Sequence, residues 1–203
     1  MATRLIGAEM YTVILLENDE VMRSSISGVV DSIDTLTMIG TSSTLQYGFE
    51  LLEKNPDFAL VDLMLDDGIA YEFIAHAVET YSTKILIVSV LGDEASVISA
   101  IQAGAVGYIK KDASSVELKN AINAILRGEA PMSPTIARHL LRRIQTEDGP
   151  TNKRSHEAAS ILSPRERQIL EALAYGMNYK EVARKYNLSH HTVAKYIKTI
   201  YRK

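Results

Sequence analysis

Residues 58–68 read Phe-Ala-Leu-Val-Asp-Leu-Met-Leu-Asp-Asp-Gly, and this stretch decides the fold of the chain. Its first four residues form an apolar run, which is typical of a strand buried on both faces of a parallel sheet. The run ends in the carboxylate of Asp62, and Asp66-Asp67-Gly68 then predicts a loop. Because function in open α/β sheets collects at the carboxyl ends of the strands, Asp62 is the first candidate for a functional residue.

Three other predicted strands in the first 112 residues also end in polar side chains. Those that follow the strands at 13–16, 85–88 and 107–109 are the acid cluster Glu17-Asn18-Asp19, Ser89 and Lys111. The carboxyl ends of parallel strands meet at one edge of a sheet, so we expect these groups to lie near Asp62. An acid cluster, a hydroxyl, a lysine and a central Asp can together build a phosphoryl-transfer site.

Strand and helix patterns alternate through residue 128. The predicted strands lie at 13–16, 37–41, 58–61, 85–88 and 107–109, and the predicted helices at 21–33, 45–54, 72–80, 94–103 and 114–127. Five strands that alternate with five helices indicate a parallel sheet covered on both faces. The predicted fold class is therefore α/β, with a five-stranded, parallel, doubly wound domain.

The C-terminal part of the chain carries only helical patterns. A capping box, Ser163-Pro164-Arg165-Glu166, predicts a helix that ends at Gly176. A short helix at 180–186, a turn at 187–189 and a basic helix capped by Ser189 follow, which is a helix-turn-helix pattern. A further helix is predicted at 134–144, and residues 145–156 lack apolar side chains, as a linker does. We divide the chain into domains at 10–130 and 161–203, with a helix-containing linker at 131–160.

Charge separates the two parts of the chain. Residues 1–130 hold 8 Lys and Arg against 19 Asp and Glu, a net of −11, whereas residues 131–203 hold 14 against 6, a net of +8. A basic module joined to an acidic one suggests a polyanionic partner. The absence of cysteine excludes disulfides and thiolate metal sites. Without a long apolar segment or a signal peptide, the expected location is the cytoplasm, with no membrane partner.

Four motifs together resemble the two-component response regulators of the NarL/LuxR family. They are PDFALVDLML around Asp62, SVLGDE after the fourth predicted strand, GAVGYIKKD around Lys111 and LSPRERQIL at the start of the basic domain. The resemblance covers nearly the whole chain after residue 10. It implies a flavodoxin-like receiver domain followed by a small all-α, LuxR-type helix-turn-helix domain, in a regulator rather than an enzyme.

The resemblance assigns a role to each residue at the predicted site. Asp62 matches the phosphoacceptor, and Lys111 matches the lysine that pairs with a phosphoryl oxygen. Ser89 matches the hydroxyl that bonds the phosphoryl group, and Tyr108 the aromatic side chain whose rotamer follows that movement. An Asp carboxylate can accept a phosphoryl group as an acyl phosphate, in chemistry that is mainly positioning and charge neutralisation.

The resemblance also implies a Mg²⁺ ion, held by Glu17, Asp62 and the backbone carbonyl of Met64. The family normally has two acids where this chain has Glu17-Asn18, and an amide oxygen at residue 18 can ligate Mg²⁺ but brings no charge. The next residue, Asp19, is expected to cap the following helix instead. Two further departures change the loop beside the metal site: Asp66 replaces a usual proline, and Ala70 replaces a usual glycine. Asp66 and Asp67 could supply outer-shell charge to the metal.

The basic helix at 189–203 carries the expected DNA contacts. Val193, Ile197 and Ile200 form an apolar stripe for the domain core, and a basic face lies beside it. We expect Lys195 and Lys198 to reach base edges in the major groove. Lys180, Thr192 and Arg202 are expected to contact phosphates, and Thr199 lies on the same face of the helix as Lys195 and Lys198. Ala194 stands where the family commonly has a lysine, and the chain stops at Lys203, before the fourth helix that the family normally adds.

The function predicted from the sequence is that of a transcriptional response regulator that binds double-stranded promoter DNA. Its receiver is phosphorylated at Asp62 by a sensor histidine kinase, with Mg²⁺ as cofactor, and the active form is a homodimer. Two alternatives stay open on the sequence alone. One is a DNA-binding regulator with a degenerate receiver that works without phosphorylation, and the other is a phosphorelay or protein-interaction module that does not bind DNA.

Overall fold

The computed structural model describes residues 10–90, 93–132, 134–147 and 162–201. The strands are β1 Tyr11–Leu16, β2 Leu36–Ser42, β3 Phe58–Val61, β4 Met64–Leu65, β5 Gly68–Ile69, β6 Lys84–Ser89 and β7 Gly107–Lys110. The helices are α1 Glu20–Asp31, α2 Leu45–Leu52, α3 Tyr71–Tyr81, α4 Glu94–Gln102, α5 Ser115–Leu126, α6 Pro134–Glu147, α7 Pro164–Ala174, α8 Tyr179–Tyr186 and α9 His190–Tyr201.

The main sheet has five parallel strands in the order β2-β1-β3-β6-β7. This confirms the predicted α/β class with a doubly wound parallel sheet. β3 lies at the centre, and all four of its side chains are fully buried. Phe58 and Leu60 pack with α1 and α5 on one face, whereas Ala59 and Val61 belong to the core on the other face, with α2, α3 and α4. Successive residues point to opposite faces of a strand, which is why a strand in this place must be apolar throughout.

The strand register sets the level of the functional residues. Leu16 of β1 lies opposite Val61 of β3, and Val61 lies opposite Ile87 of β6. Glu17 and Asp62 are the next residues after their strands, so both side chains emerge at the same edge of the sheet. Ser89 ends β6 and pairs with Lys110, which places Lys111 at that edge as well.

Two sequence predictions need correction. The loop predicted at Asp66-Asp67-Gly68 is present only as the turn Asp66-Asp67, because the residues on either side form a short antiparallel hairpin in which β4 pairs with β5. The expected linker begins later than residue 145, because α6 continues to Glu147. Gln145, Thr146 and Glu147 are compatible with a helix that needs no apolar residue in its last turn. The rest of that predicted linker, from residue 148, lies outside the described residues.

The C-terminal helices bury apolar residues that belong to the same continuous cluster as the α2, α3 and α4 face of the sheet. The fully buried residues of these helices are Ile169, Leu170, Val182, Val193 and Ile197, one or two from each helix. The predicted capping box is present at the start of α7, where the Ser163 and Glu166 side chains accept hydrogen bonds from each other's backbone N–H groups. No helix in the described ranges is long and apolar enough to cross a membrane.

The helix α6 joins the two parts of the molecule, because it packs against α4 on one side and α7 on the other. Two tyrosines reinforce this contact. The Tyr179 hydroxyl donates to the backbone carbonyl of Ala130, and the Tyr201 hydroxyl donates to that of Pro131 at 2.9 Å. Burial raises the pKa of both phenols above its ordinary value. These contacts attach α8 and α9 to the segment that follows α5.

Candidate functional site

Lys111 connects the two buried carboxylates at the edge of the sheet. Its Nζ donates to Glu17 Oε1 and to Asp62 Oδ2, both at 2.7 Å. The side chains of Lys111, Glu17 and Asp62 are 10%, 1% and 4% exposed, so the three charges are largely removed from water. Burial disfavours the charged ammonium, but the hydrogen bonds to Asp62 and Glu17 outweigh it and hold the pKa of Lys111 above its ordinary value.

The two oxygens of Asp62 have different surroundings. Oδ2 accepts the short hydrogen bond from Lys111, whereas among the described residues Oδ1 accepts only a long contact of 3.4 Å from the Met64 N–H. The Asp62 N–H donates to the Leu16 carbonyl, which fixes the backbone at the end of β3. Oδ1 is therefore the less engaged oxygen of the carboxylate.

Ser89 lies at the end of β6, and Tyr108 lies on the neighbouring strand β7. Both are buried, and their side chains share a hydrogen bond. Burial raises the pKa of the Tyr108 phenol well above its ordinary value, and the bond to Ser89 opposes that shift. A hydroxyl at 89 and an aromatic side chain at 108 are thus physically linked, as a coupled movement of the two would require.

The oxygen atoms around Asp62 fit a magnesium ion. Glu17 is fully buried, and its Oε2 has no hydrogen-bond partner among the residues that the structure describes. A buried acceptor without a donor is costly, and a cation removes that cost. Mg²⁺ prefers carboxylate and carbonyl oxygens and keeps several waters, which suits two carboxylates and the Met64 carbonyl. Over the described ranges, no three His, Cys, Asp or Glu side chains are grouped closely enough to hold a metal by themselves.

The exposed acids beside this site have separate tasks. Asp19 caps α1 as expected, since its carboxylate accepts from the Met22 N–H at 2.8 Å. Asp67 accepts from the N–H groups of Leu45 and Gln46 at 2.7 and 2.9 Å, at the start of α2. The Leu45 bond does most to hold the pKa of Asp67 below its ordinary value. Asp66 accepts from the Asn18 side-chain amide at 3.0 Å.

Sequence reasoning missed one residue that shapes the acid cluster. The Arg23 guanidinium donates to the backbone carbonyls of Glu17 at 2.7 Å and Asn18 at 3.3 Å. These bonds hold the loop that presents both side chains to the edge of the sheet beside Asp62. The only available signal was the position of Arg23 one turn into α1, and a surface arginine at such a position is too common to be informative.

The predicted recognition helix is α9, and the face expected to contact DNA is open. Lys195, Lys198 and Thr199 are exposed on α9, as is Lys180 on α8. Thr192 is partly buried, and its N–H and hydroxyl bond the Ser189 hydroxyl at the start of the helix. The apolar stripe packs inward as predicted, and Ala194 is buried beside it. Arg202 lies outside the described residues.

Two family models match the sequence, one for each part of the fold. The model described as the response regulator receiver domain matches residues 13–123. The model described as bacterial regulatory proteins of the luxR family matches residues 160–203. The first match contains Asp62, Ser89, Tyr108 and Lys111, and the second contains the helix-turn-helix.

Relatives match both parts together. The nitrate/nitrite response regulator protein NarL of Escherichia coli (strain K12) is 27% identical over 197 residues, covering 96% of this chain and 89% of NarL. The transcriptional regulatory protein YdfI of Bacillus subtilis (strain 168) is 29% identical over 195 residues, covering 96% of this chain and 89% of YdfI.

Solved structures share the whole fold. The RcsB response regulator of Salmonella typhimurium superposes with a TM-score of 0.62 at 19% identity, covering 95% of this chain and 90% of the RcsB chain. The response regulator ChrA of a heme-sensing two-component system has a TM-score of 0.55 at 25% identity, with 93% and 87% coverage. A structure of two RcsB dimers bound to two parallel DNAs superposes with a TM-score of 0.60 at 20% identity, with 96% and 94% coverage.

Proposed function

Because this chain belongs to the response regulator receiver family and carries a LuxR-type helix-turn-helix DNA-binding domain, we propose that phosphorylation of Asp62 controls its binding to promoter DNA. The observation that carries the proposal is the pair of 2.7 Å contacts that Lys111 makes with Asp62 and Glu17. These contacts bring the Asp62 carboxylate, which would be the nucleophile, together with the Lys111 ammonium and the Glu17 carboxylate at one edge of the sheet. We assign residues 10–130 to the receiver and residues 161–203 to the DNA-binding domain.

The proposed reaction transfers a phosphoryl group to Asp62. A carboxylate oxygen attacks phosphorus, the bond to the donor atom breaks, and the electron pair leaves with the donor, so that an acyl phosphate forms. Oδ1 is the better placed nucleophile, because Lys111 already engages Oδ2. The Lys111 ammonium then neutralises a phosphoryl oxygen, and the Ser89 hydroxyl donates to another. The Ser89–Tyr108 hydrogen bond would pass this rearrangement to Tyr108.

Receiver domains generally use Mg²⁺ in phosphorylation, and the oxygen donors of this site suit that ion. Glu17, Asp62 and the Met64 carbonyl would hold it, with the Asn18 amide oxygen as a weaker donor. When bound, the ion supplies charge neutralisation for the phosphoryl oxygens. The unpartnered Oε2 of buried Glu17 supports this assignment.

The exposed cations of the helix-turn-helix are proposed to contact DNA. Lys195 and Lys198 on α9 would reach base edges, whereas Lys180 and Thr192 would contact phosphates and position the helix without reading sequence. Arg202 would contact phosphates as well, and Thr199 completes the exposed face of α9. We propose a sensor histidine kinase as the phosphodonor, a homodimer as the DNA-binding form and the cytoplasm as the place of action. The structure of RcsB dimers bound to DNA supports the proposal of a homodimer.

One experiment tests both halves of the proposal. The full chain and Asp62→Asn are incubated with acetyl phosphate, with and without Mg²⁺, and intact mass and affinity for a promoter fragment are measured on the same samples. We expect a single phosphoryl adduct that needs Mg²⁺, is absent from Asp62→Asn and changes DNA affinity. DNA binding without any adduct would refute control by Asp62. An adduct without salt-dependent DNA binding would refute the regulatory output.

A further inference from the structure

We propose that Asp66 supplies to the metal site the negative charge that Asn18 lacks, so that Asn18 and Asp66 act together as one metal-binding unit. This inference rests on the proposed function, because it concerns the same Mg²⁺ site. It assigns a metal-site role to a residue outside the donor set of Glu17, Asp62 and the Met64 carbonyl.

The argument starts from the orientation of the Asn18 amide. A carboxylate can only accept hydrogen bonds, so the 3.0 Å contact with Asp66 Oδ1 requires the nitrogen of the Asn18 amide to face Asp66. The amide oxygen is thereby directed away from Asp66 and stays available as a ligand. A hydrogen bond to a charged acceptor also polarises the amide and makes its oxygen a better donor to a cation.

Asp66 is held in place by its neighbour in sequence. Asp67 anchors the turn to the start of α2 through the N–H groups of Leu45 and Gln46. The hairpin pairing of Leu65 with Gly68 closes the turn on its other side. Asp67 is therefore committed to α2, and Asp66 is the acid of this pair that faces the cluster.

The charge balance supports the same assignment. Glu17, Asp62 and Asp66 bring three carboxylates to the site, against the single ammonium of Lys111. An acid at position 18 in place of Asn18, with an uncharged residue at 66, would give the same total. The site therefore has the same number of carboxylates as one with an acid at position 18, and the third of them lies on the turn after β3.

An independent observation supports the binding of a cation at this site. Glu17 Oε2 is buried and has no hydrogen-bond partner in the part of the chain that the structure describes. Oε1 already accepts from Lys111 and from the Asp19 N–H, and a cation beside Oε2 would satisfy the remaining oxygen of this carboxylate. Because the described acids do not form a cluster of three that could hold a metal alone, Asp66 acts through the Asn18 amide or through metal-bound water.

The test measures Mg²⁺ binding to the full chain by isothermal titration calorimetry. The variants are Asp66→Asn, the exchange Asn18→Asp with Asp66→Asn, and the control Asp19→Asn. The control also removes one carboxylate next to the site, but this carboxylate caps α1, a task that Asn performs equally well. Thermal melting of each variant without Mg²⁺ verifies that the fold is intact.

We expect Asp66→Asn to weaken Mg²⁺ binding about tenfold, because a charge close to a dication is lost. The exchange variant should return to within about twofold of the wild type, as should Asp19→Asn, whose charge is not directed at the site. An Asp66→Asn effect no larger than that of Asp19→Asn, or an exchange variant that fails to recover, would overturn the inference alone. A wild-type chain that does not bind Mg²⁺ would overturn both the inference and the proposed cofactor.

Discussion

Replacement of Lys111 by methionine tests the core of the site most directly. Methionine keeps the length and the apolar stem of the side chain but removes the ammonium. Glu17 and Asp62, whose side chains are 1% and 4% exposed, would then remain buried with no cation between them. The wild-type contacts that disappear are both 2.7 Å long.

The expected cost follows from these distances and from the burial. A pair of unit charges at 2.7 Å attracts by about 6 kcal/mol at an effective dielectric constant of about 20. Desolvation of the three groups offsets much of that attraction in the wild type. Removal of the Lys111 ammonium leaves the desolvation penalty of the two buried carboxylates without the attraction that offsets it. Such a loss of one partner from a buried ion pair typically costs about 3–5 kcal/mol. We therefore expect Lys111→Met to lower the free energy of unfolding of the receiver by about 3–5 kcal/mol at neutral pH without Mg²⁺.

Urea denaturation followed by circular dichroism measures this loss. The matched control is Lys110→Met, which removes the neighbouring, exposed lysine at the end of β7 and should change stability by less than about 0.5 kcal/mol. A loss below about 1 kcal/mol for Lys111→Met, equal to that of an exposed ion pair, would refute the view that Lys111 supports the buried carboxylates.

The pH dependence gives a second check on the same variant. Burial opposes the Lys111 charge, yet the bonds to Asp62 and Glu17 hold the pKa above the usual 10.5. A raised pKa in the folded state stabilises the protein below the unfolded-state pKa, and the contribution is lost as the pH rises through the folded-state pKa. The gap between wild type and Lys111→Met should therefore be present at neutral pH and shrink at alkaline pH, as the pH rises above 10.5 and through the folded-state pKa of Lys111.

Two further outcomes follow from the exposed polar groups. Asp67→Asn should cost at most about 1 kcal/mol at neutral pH, because the charge is exposed and screened. Since the Leu45 N–H holds the pKa of Asp67 below 3.8, urea melts should show this difference above that pH and lose it as the pH falls further. Lys198→Ala should cost about 1–3 kcal/mol of DNA affinity and relax the base preference, whereas Lys180→Ala should reduce the slope of affinity against salt by about one with the preference unchanged. Fluorescence anisotropy across a salt series separates the two variants, and identical behaviour of both would contradict the assignment of Lys198 to base edges.

The main elements of the fold could be predicted because each has a local signal. The apolar run of β3 indicates a strand buried on both sides, and the register then requires Glu17 to lie level with Asp62. The capping boxes at Ser114 and Ser163 lie entirely within four residues, so they define the starts of α5 and α7 without tertiary information. For this reason the parallel, doubly wound sheet and the gathering of the central residues could be predicted from pattern and topology.

The rim of the site could not be predicted, because its contacts are long-range and polar. Asn18 and Asp66 are 48 residues apart, and Asp67 and Leu45 are 22 apart. Exposed polar side chains follow no periodic pattern in the sequence from which their hydrogen-bond partners could be predicted. The adjacent acids 66 and 67 are equivalent in the sequence, yet one bonds the acid cluster and the other bonds α2. Only the hairpin that turns them in different directions makes the distinction.

The contacts between the two parts of the molecule leave the proposed DNA-contact face free. Tyr201 bonds the Pro131 carbonyl from the inner side of α9, whereas Lys195 and Lys198 remain exposed on the same helix. Each such hydrogen bond contributes about 1 kcal/mol, so the two tyrosine contacts together can shift a two-state equilibrium by only about thirtyfold. Their acceptor carbonyls lie in the segment after α5, with Ala130 at the end of the domain that carries Lys111 and Tyr108 and Pro131 at the start of the linker. Regulation through these contacts would therefore act by changing how the DNA-binding helices are positioned or paired, since it does not have to uncover their lysines.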